Sequence, residues 1–140
     1  MNGATVRVYS LAKDGQTKPY MSSGKRCTNF KVREFACTDG SDSVFISPTL
    51  VELLQKIRDH FKAPVTVNSG YRTATKNKAV GGAAYSQHLY GTAADITVKG
   101  VTPKAVAAYA ETLMPKTGGI GIYSTFVHVD CRSAKSRWNG

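Results

Sequence analysis

Ser86-Gln87-His88-Leu89-Tyr90-Gly91-Thr92-Ala93-Ala94-Asp95 is the stretch from which the rest of the chain can be read. Gly91, between His88 and Asp95, permits a sharp turn, and Ala93 and Ala94 are small enough for close backbone approach. The stretch therefore reads as a loop that delivers His88, followed by a strand over Ala94 to Val98 that delivers Asp95 and is broken at Gly100. A second string, Phe126-Val127-His128-Val129-Asp130, looks like a neighbouring strand and carries another histidine. Two imidazoles and one carboxylate suit a zinc ion, which takes three protein ligands and leaves a fourth position for water. Calcium and magnesium favour all-oxygen sets, so the histidines argue against them. The remaining histidine, His60, follows a helical pattern and reads as a surface or capping residue near a helix end.

Upstream of this stretch, Ser47-Pro48 opens a helix, with the serine as N-cap and the proline at the first helical position. Leu50, Leu53, Leu54, Ile57 and Phe61 give it one apolar face, and Pro64 stops it. Val65 to Asn68 reads as a strand entering a turn at Ser69-Gly70, and Ala74 to Val80 as a short helix ended by Gly81-Gly82. Thr102-Pro103 opens a second helix, with Val106, Tyr109, Ala110 and Leu113 at core spacing. Ile120 to Tyr123 and Phe126 to Asp130 read as a hairpin turning at Ser124-Thr125. Upstream, Thr5 to Tyr9 alternates like a strand, Phe30 to Phe35 reads as a docking segment, and Thr38 to Asp42 as a turn. The expected class is α+β: a single domain with a small antiparallel sheet flanked by helices.

At 140 residues and 41% hydrophobic the chain is one ordinary folded domain, not a disordered tail. It holds no run of about 20 apolar residues, so no membrane span is expected. Met1 to Gly15 has no apolar stretch ahead of a cleavage site, so no secretory signal is expected either. Nineteen basic against nine acidic residues give a net charge of +10, a field that attracts polyanions. The basic residues are scattered, a pattern that reads as a solvated face, apart from a tail cluster at Arg132, Lys135 and Arg137; specific nucleic-acid binding is not expected. Cys27, Cys37 and Cys131 form no Cys-x-x-Cys pair and read as buried or idle thiols, with a disulfide between two of them left open.

The pattern Ser-x-His-x-x-Gly-x-Ala-x-Asp, the later His-x-Asp, the segment Asn68-Ser69-Gly70-Tyr71-Arg72 and the stretch Asn29 to Phe35 together resemble the peptidase M15 group. The likeness is to its zinc D-Ala-D-Ala carboxypeptidases, and most of all to the short subgroup. It implies a hedgehog/DD-peptidase-like fold, with residues 1–28 an N-terminal arm or hairpin of the same domain and 29–140 the zinc peptidase domain. It also implies a zinc-dependent metallopeptidase that hydrolyses peptide bonds in bacterial peptidoglycan, of the D-Ala-D-Ala carboxypeptidase or the wall endopeptidase and endolysin type. The expected partners are the peptidoglycan stem peptide and anionic wall polymers such as teichoic acid or lipopolysaccharide, met by a monomer. The alternative is a non-catalytic module that keeps the zinc fold and binds anionic wall polymer or nucleic acid.

By this resemblance His88, Asp95 and His128 hold zinc, Arg72 binds a substrate carboxylate or the developing oxyanion, and Ser86 lies near the metal as a substrate contact. A planar guanidinium suits either task. The general base is open. Relatives often carry an acid three residues before the final zinc histidine, where this chain has Thr125. Asp130 shares a strand face with His128, and serves either as that base or as an orienter of the imidazole. Glu34, Asp39 and Asp42 are the residual candidates. Tyr85, Tyr90, Tyr123 and Trp138 receive no role.

Overall fold

The computed structural model describes residues 5–20 and 28–140; Cys27 lies outside the described residues. Strand β1 (Arg7–Ser10) pairs antiparallel with β2 (Ser43–Ile46), Arg7 opposite Ile46, so the alternating N-terminal stretch finds its partner more than thirty residues away. Between them lie a helical turn, α1 (Leu11–Asp14), and a 3-10 turn (Val32–Phe35) that buries Val32 and Phe35.

The helix α2 (Pro48–Phe61) places Leu50, Val51, Leu53, Leu54 and Ile57 in the core. Ser47 holds the N-cap position, but its side chain makes no capping bond. It is fully buried, and its hydroxyl lies instead against the Cys131 sulfur, 3.7 Å away. The helix ends ahead of Pro64, where Lys62 turns into the left-handed region at φ 52°. His60, at its last turn, stacks on Tyr109 with ring centres 3.7 Å apart.

After β3 (Val65–Ser69) and α3 (Ala74–Ala79), the chain forms β4 (Ala93–Val98), α4 (Pro103–Leu113), β5 (Gly119–Ile122), β6 (Val127–Asp130) and β7 (Ser136–Asn139). Thr102 caps α4 by accepting from the Ala105 N–H. The sheet order is β3-β4-β6-β5-β7. The first three pairings are antiparallel, but β5 and β7 run parallel, so the sheet departs from the all-antiparallel expectation at that edge.

Alternation along the strands splits the sheet into two faces. Ile96, Val98, Ile120, Val127 and Val129 turn to one side and are buried among Leu50, Leu54, Ile57, Val106 and Ala110 of α2 and α4. Truncating one of these, Leu54→Ala for example, costs about 2–5 kcal/mol on general experience with cores. The other face carries the polar residues. Register sets Ser69, Asp95, His128, Gly121 and Trp138 opposite one another in a single row across all five strands. Directly opposed residues on neighbouring strands share a face with side chains in contact range, so this row brings two polar strings of the sequence together.

Candidate metal centre

His88 rides on a 3-10 turn, Gln87–Tyr90, whose first N–H groups are capped by Ser86: its hydroxyl oxygen accepts from the His88 N–H at 3.3 Å. The turn closes at Gly91, φ 72°, and a Cβ there would stand 2.2 Å from the Phe45 carbonyl oxygen. Both the conformation and the close approach demand glycine. The His88 carbonyl accepts from the Arg72 N–H at 3.0 Å, which ties the turn to the Gly70-Tyr71-Arg72 segment.

The protonation of each ring follows from its outward partner. The Nδ1 atom of His88 lies 2.7 Å from the Gly70 carbonyl oxygen. A carbonyl only accepts, so Nδ1 carries the hydrogen and Nε2 presents a lone pair. On β6, His128 Nε2 lies 2.7 Å from Asp130 Oδ2. Asp130 is fully buried; desolvation opposes its charge, but hydrogen bonds from His128 and Arg132 outweigh it and hold its carboxyl well below the usual range. An ionised carboxylate accepts only, so His128 Nε2 carries a hydrogen, and Nδ1 is the nitrogen turned to the cluster.

Those two nitrogens point at the same oxygen. His88 Nε2 is 3.2 Å and His128 Nδ1 is 3.0 Å from Asp95 Oδ1. Ligand atoms of the three buried residues all lie within 4.8 Å of one another. Burial opposes the Asp95 charge, but hydrogen bonding and positive charge from the facing imidazoles of His128 and His88 outweigh it and favour the ionised carboxylate. Three lone-pair donors in one buried cluster repel unless positive charge lies among them. Burial disfavours charge on His128 too, but the carboxylates of Asp130 and Asp95 raise its pKa on balance. The residues thus fit a divalent ion with nitrogen and oxygen ligands.

Arg72 borders this cluster: its Nη2 is 3.6 Å from Asp95 Oδ2, and Ser69 and Asn77 hold the rest of the guanidinium at 3.3 Å each. Asp130 stands behind His128, on the ring edge away from Asp95. Besides His128 it accepts from the Gly119 N–H at 2.9 Å, the Arg132 N–H at 3.1 Å, and Arg132 Nε and Nη2 at 2.8 and 2.7 Å. Glu34 caps the Lys31 N–H, Asp39 accepts from Thr73 and Ser41, and Asp42 from Ser10 and Ala12. Thr125 is exposed in the β5–β6 turn.

Two residues without an assigned role stand at the site. The Trp138 ring centre is 5.0 Å from that of His128, and Arg132 pairs with Asp130 while lying over the indole at 5.5 Å. Arg132 belongs to the basic tail cluster, whose members are paired: Arg137 and Lys135 with Glu111, and Arg132 with Asp130. The one sequence signal was position: Arg132 follows Asp130 at the two-residue spacing that puts Asp130 beside His128.

The pattern that defines the peptidase M15 family matches residues 25–130. The chain is 32% identical over 105 residues to a probable peptidoglycan L,D-endopeptidase of Haemophilus influenzae, covering 68% of this chain and 55% of that protein. It is 58% identical over 33 residues to a zinc D-Ala-D-Ala carboxypeptidase of Streptomyces albus G, covering 24% of this chain and 13% of that protein. The chain therefore spans about half the length of the first relative and a small part of the second.

Proposed function

The chain belongs to the peptidase M15 family, and from that premise we propose that it is a zinc-dependent peptidase acting on the stem peptide of bacterial peptidoglycan. One observation carries the metal: each imidazole has one ring nitrogen held by a partner outside the cluster and turns the other toward the same Asp95 carboxylate oxygen. His88 through Nε2, His128 through Nδ1 and Asp95 through Oδ1 would hold the ion. Zinc bound there supplies an acidified water and a Lewis acid for the scissile carbonyl.

The chain's own residues do the rest. Asp130 fixes the tautomer and the direction of His128; with its two oxygens engaged by five donors, it serves as an orienter and not as the proton acceptor. Arg72 faces the open side of Asp95 and offers a planar pair of donors to a substrate carboxylate or to the oxyanion that develops on the carbonyl. Ser86, half-exposed beside His88, contributes a hydroxyl to the substrate backbone while holding the turn. The net charge of +10 draws the protein to anionic wall polymers, and it works as a monomer.

Exposure of Thr125 at the position where relatives carry an acid favours a second reading, a zinc-fold module that binds wall polymer without cleaving it. Purified muropeptides incubated with the protein, with and without chelator, and analysed by mass spectrometry separate the two. Chelator-sensitive cleavage is expected, and the products identify the bond. Intact muropeptides in the presence of a zinc-loaded protein would establish the binding module instead.

A further inference from the structure

The β5 strand reads Gly119-Ile120-Gly121-Ile122, with isoleucines toward the core and glycines toward the site. Neither glycine has the left-handed backbone that requires its kind; what each supplies is room. A Cβ at Gly119 would stand 2.2 Å from Asp130 Oδ2, and one at Gly121 would stand 2.4 Å from the indole of Trp138. The sheet is thus pared down on the site face at the two places where the Asp130 carboxylate and the Trp138 ring lie against it.

Gly121 is in register with both His128 and Trp138. The indole covers it, tilted at 49° to the imidazole, and is anchored by its N–H, which donates to the Tyr123 hydroxyl at 2.9 Å. Arg132 grips both oxygens of Asp130 with two guanidinium nitrogens and spreads over the same indole. Imidazole, carboxylate, guanidinium and indole therefore close a ring of four contacting groups. A carboxylate alone fixes where one ring nitrogen points, but it leaves the imidazole free to tilt about that hydrogen bond. An aromatic plane against the ring stops the tilt, and the guanidinium joins the two restraints. Both residues lie past Asp130, where the family match ends.

We propose that Arg132 and Trp138 are positioning residues for His128, holding its Nδ1 on the axis toward Asp95 and so setting the affinity and coordination geometry of the metal. The proposal rests on the zinc reading above. Its test uses the fact that Trp138 is the chain's single tryptophan. Titrating chelator-treated protein with Co2+ should quench tryptophan emission to an end point of one ion per chain, with zinc reversing it. Absence of any metal binding by the unaltered protein would overturn the zinc reading and the proposal with it.

The clamp itself is tested by zinc Kd, from competition with a chromophoric chelator, and by the Co2+ ligand-field spectrum, with thermal melts alongside. Trp138→Leu and Arg132→Lys should each weaken zinc binding by about 10–100-fold and shift the cobalt bands, whereas Trp138→Phe, which keeps a ring on the imidazole, should stay within about threefold. Gly121→Ala keeps both clamp residues but displaces the indole, so it should behave as Trp138→Leu does. It decides the matter if either of the other variants fails to fold. Unchanged Kd and cobalt spectrum in Trp138→Leu and Gly121→Ala would overturn the proposal. So would lowered melting temperatures with an unchanged cobalt spectrum, which would make the residues merely structural.

Discussion

The two histidines of the candidate metal centre are aimed by different means. His88 is turned by a neutral backbone carbonyl, that of Gly70, within a tight loop. His128 is turned by a buried ionised side chain, which is itself held by Arg132. A backbone hold is set by chain geometry: it relies on Gly91 for the turn and on Gly70, where a Cβ would stand 2.8 Å from Phe35 backbone atoms. A side-chain hold depends on charge and can be tuned by one substitution. The first should therefore fail through folding and the second through metal affinity, and the following experiments press on that difference.

The largest effect is expected from the ligands. Purified protein should hold one zinc per chain, and the His88→Ala, His128→Ala double variant should hold none by elemental analysis and cleave nothing. Asp95→Ala should act likewise, since it removes the oxygen that both imidazoles share. Full zinc occupancy in the double variant would remove the basis for comparing the two rings at all.

Next is Gly91→Ala, aimed at the backbone hold. A non-glycine residue in the left-handed region costs about 1–3 kcal/mol, and here the new methyl also meets the Phe45 carbonyl, so the melting temperature should fall by several degrees or more. The protein that remains folded should bind zinc nearly as before. A large loss of zinc affinity with an unchanged melting temperature would show that the turn is a delicate positioning device and not a structural frame.

Asp130→Asn presses on the side-chain hold. It sets an amide against two donors, His128 Nε2 and Arg132 Nη2, and removes the charge that keeps the imidazole hydrogen in place. Zinc affinity should fall by about 10–100-fold. With zinc supplied in excess, turnover should recover most of its value. A kcat that stays down by about 10²–10⁴-fold at saturating zinc would instead identify Asp130 as the general base.

The legibility of these parts in the sequence follows the same division. The His88 turn is local: serine, histidine, glycine and aspartate stand in one string, and each is read from its neighbours. The helices declare themselves through Pro48, Thr102-Pro103 and apolar spacing. The surroundings of His128 are not local. The β7 strand is four residues long and pairs in parallel with β5, a contact that no turn signal announces. Arg132, Lys135 and Arg137 show in the sequence only as a basic cluster, because sequence shows the sign of a side chain and not its partner. That Asp130 is saturated with donors depends on the Gly119 N–H arriving from β5, so its spacing to His128 left two roles open where the packing favours one. In the same way β1 and β2 are short, and their pairing spans the whole N-terminal region.

The smallest effect concerns Cys131, one residue beyond Asp130 and on the core side of the same strand end. Its thiol donates to the Thr92 carbonyl oxygen at 3.5 Å, and burial pushes its pKa up to about 11, with the nearby Asp130 charge adding to the rise. The neutral thiol is the favoured form in the fold, so its contribution to stability is complete below the thiol's unfolded pKa, about 8.5, and is lost as pH climbs toward 11. The thiolate is the reactive species, so native protein at pH 8 should react with iodoacetamide at Cys131 far more slowly than unfolded protein does, as followed by mass spectrometry. Asp130→Asn removes a negative charge that helps to hold this thiol's pKa up, and it loosens the strand end. It should therefore speed alkylation at Cys131, whereas Gly91→Ala should do so only in proportion to the fraction unfolded. Equal acceleration in the two variants, at matched melting temperatures, would mean that the carboxylate network and the turn are one cooperative unit, and that the contrast between the two histidines is one of chemistry alone and not of local stability.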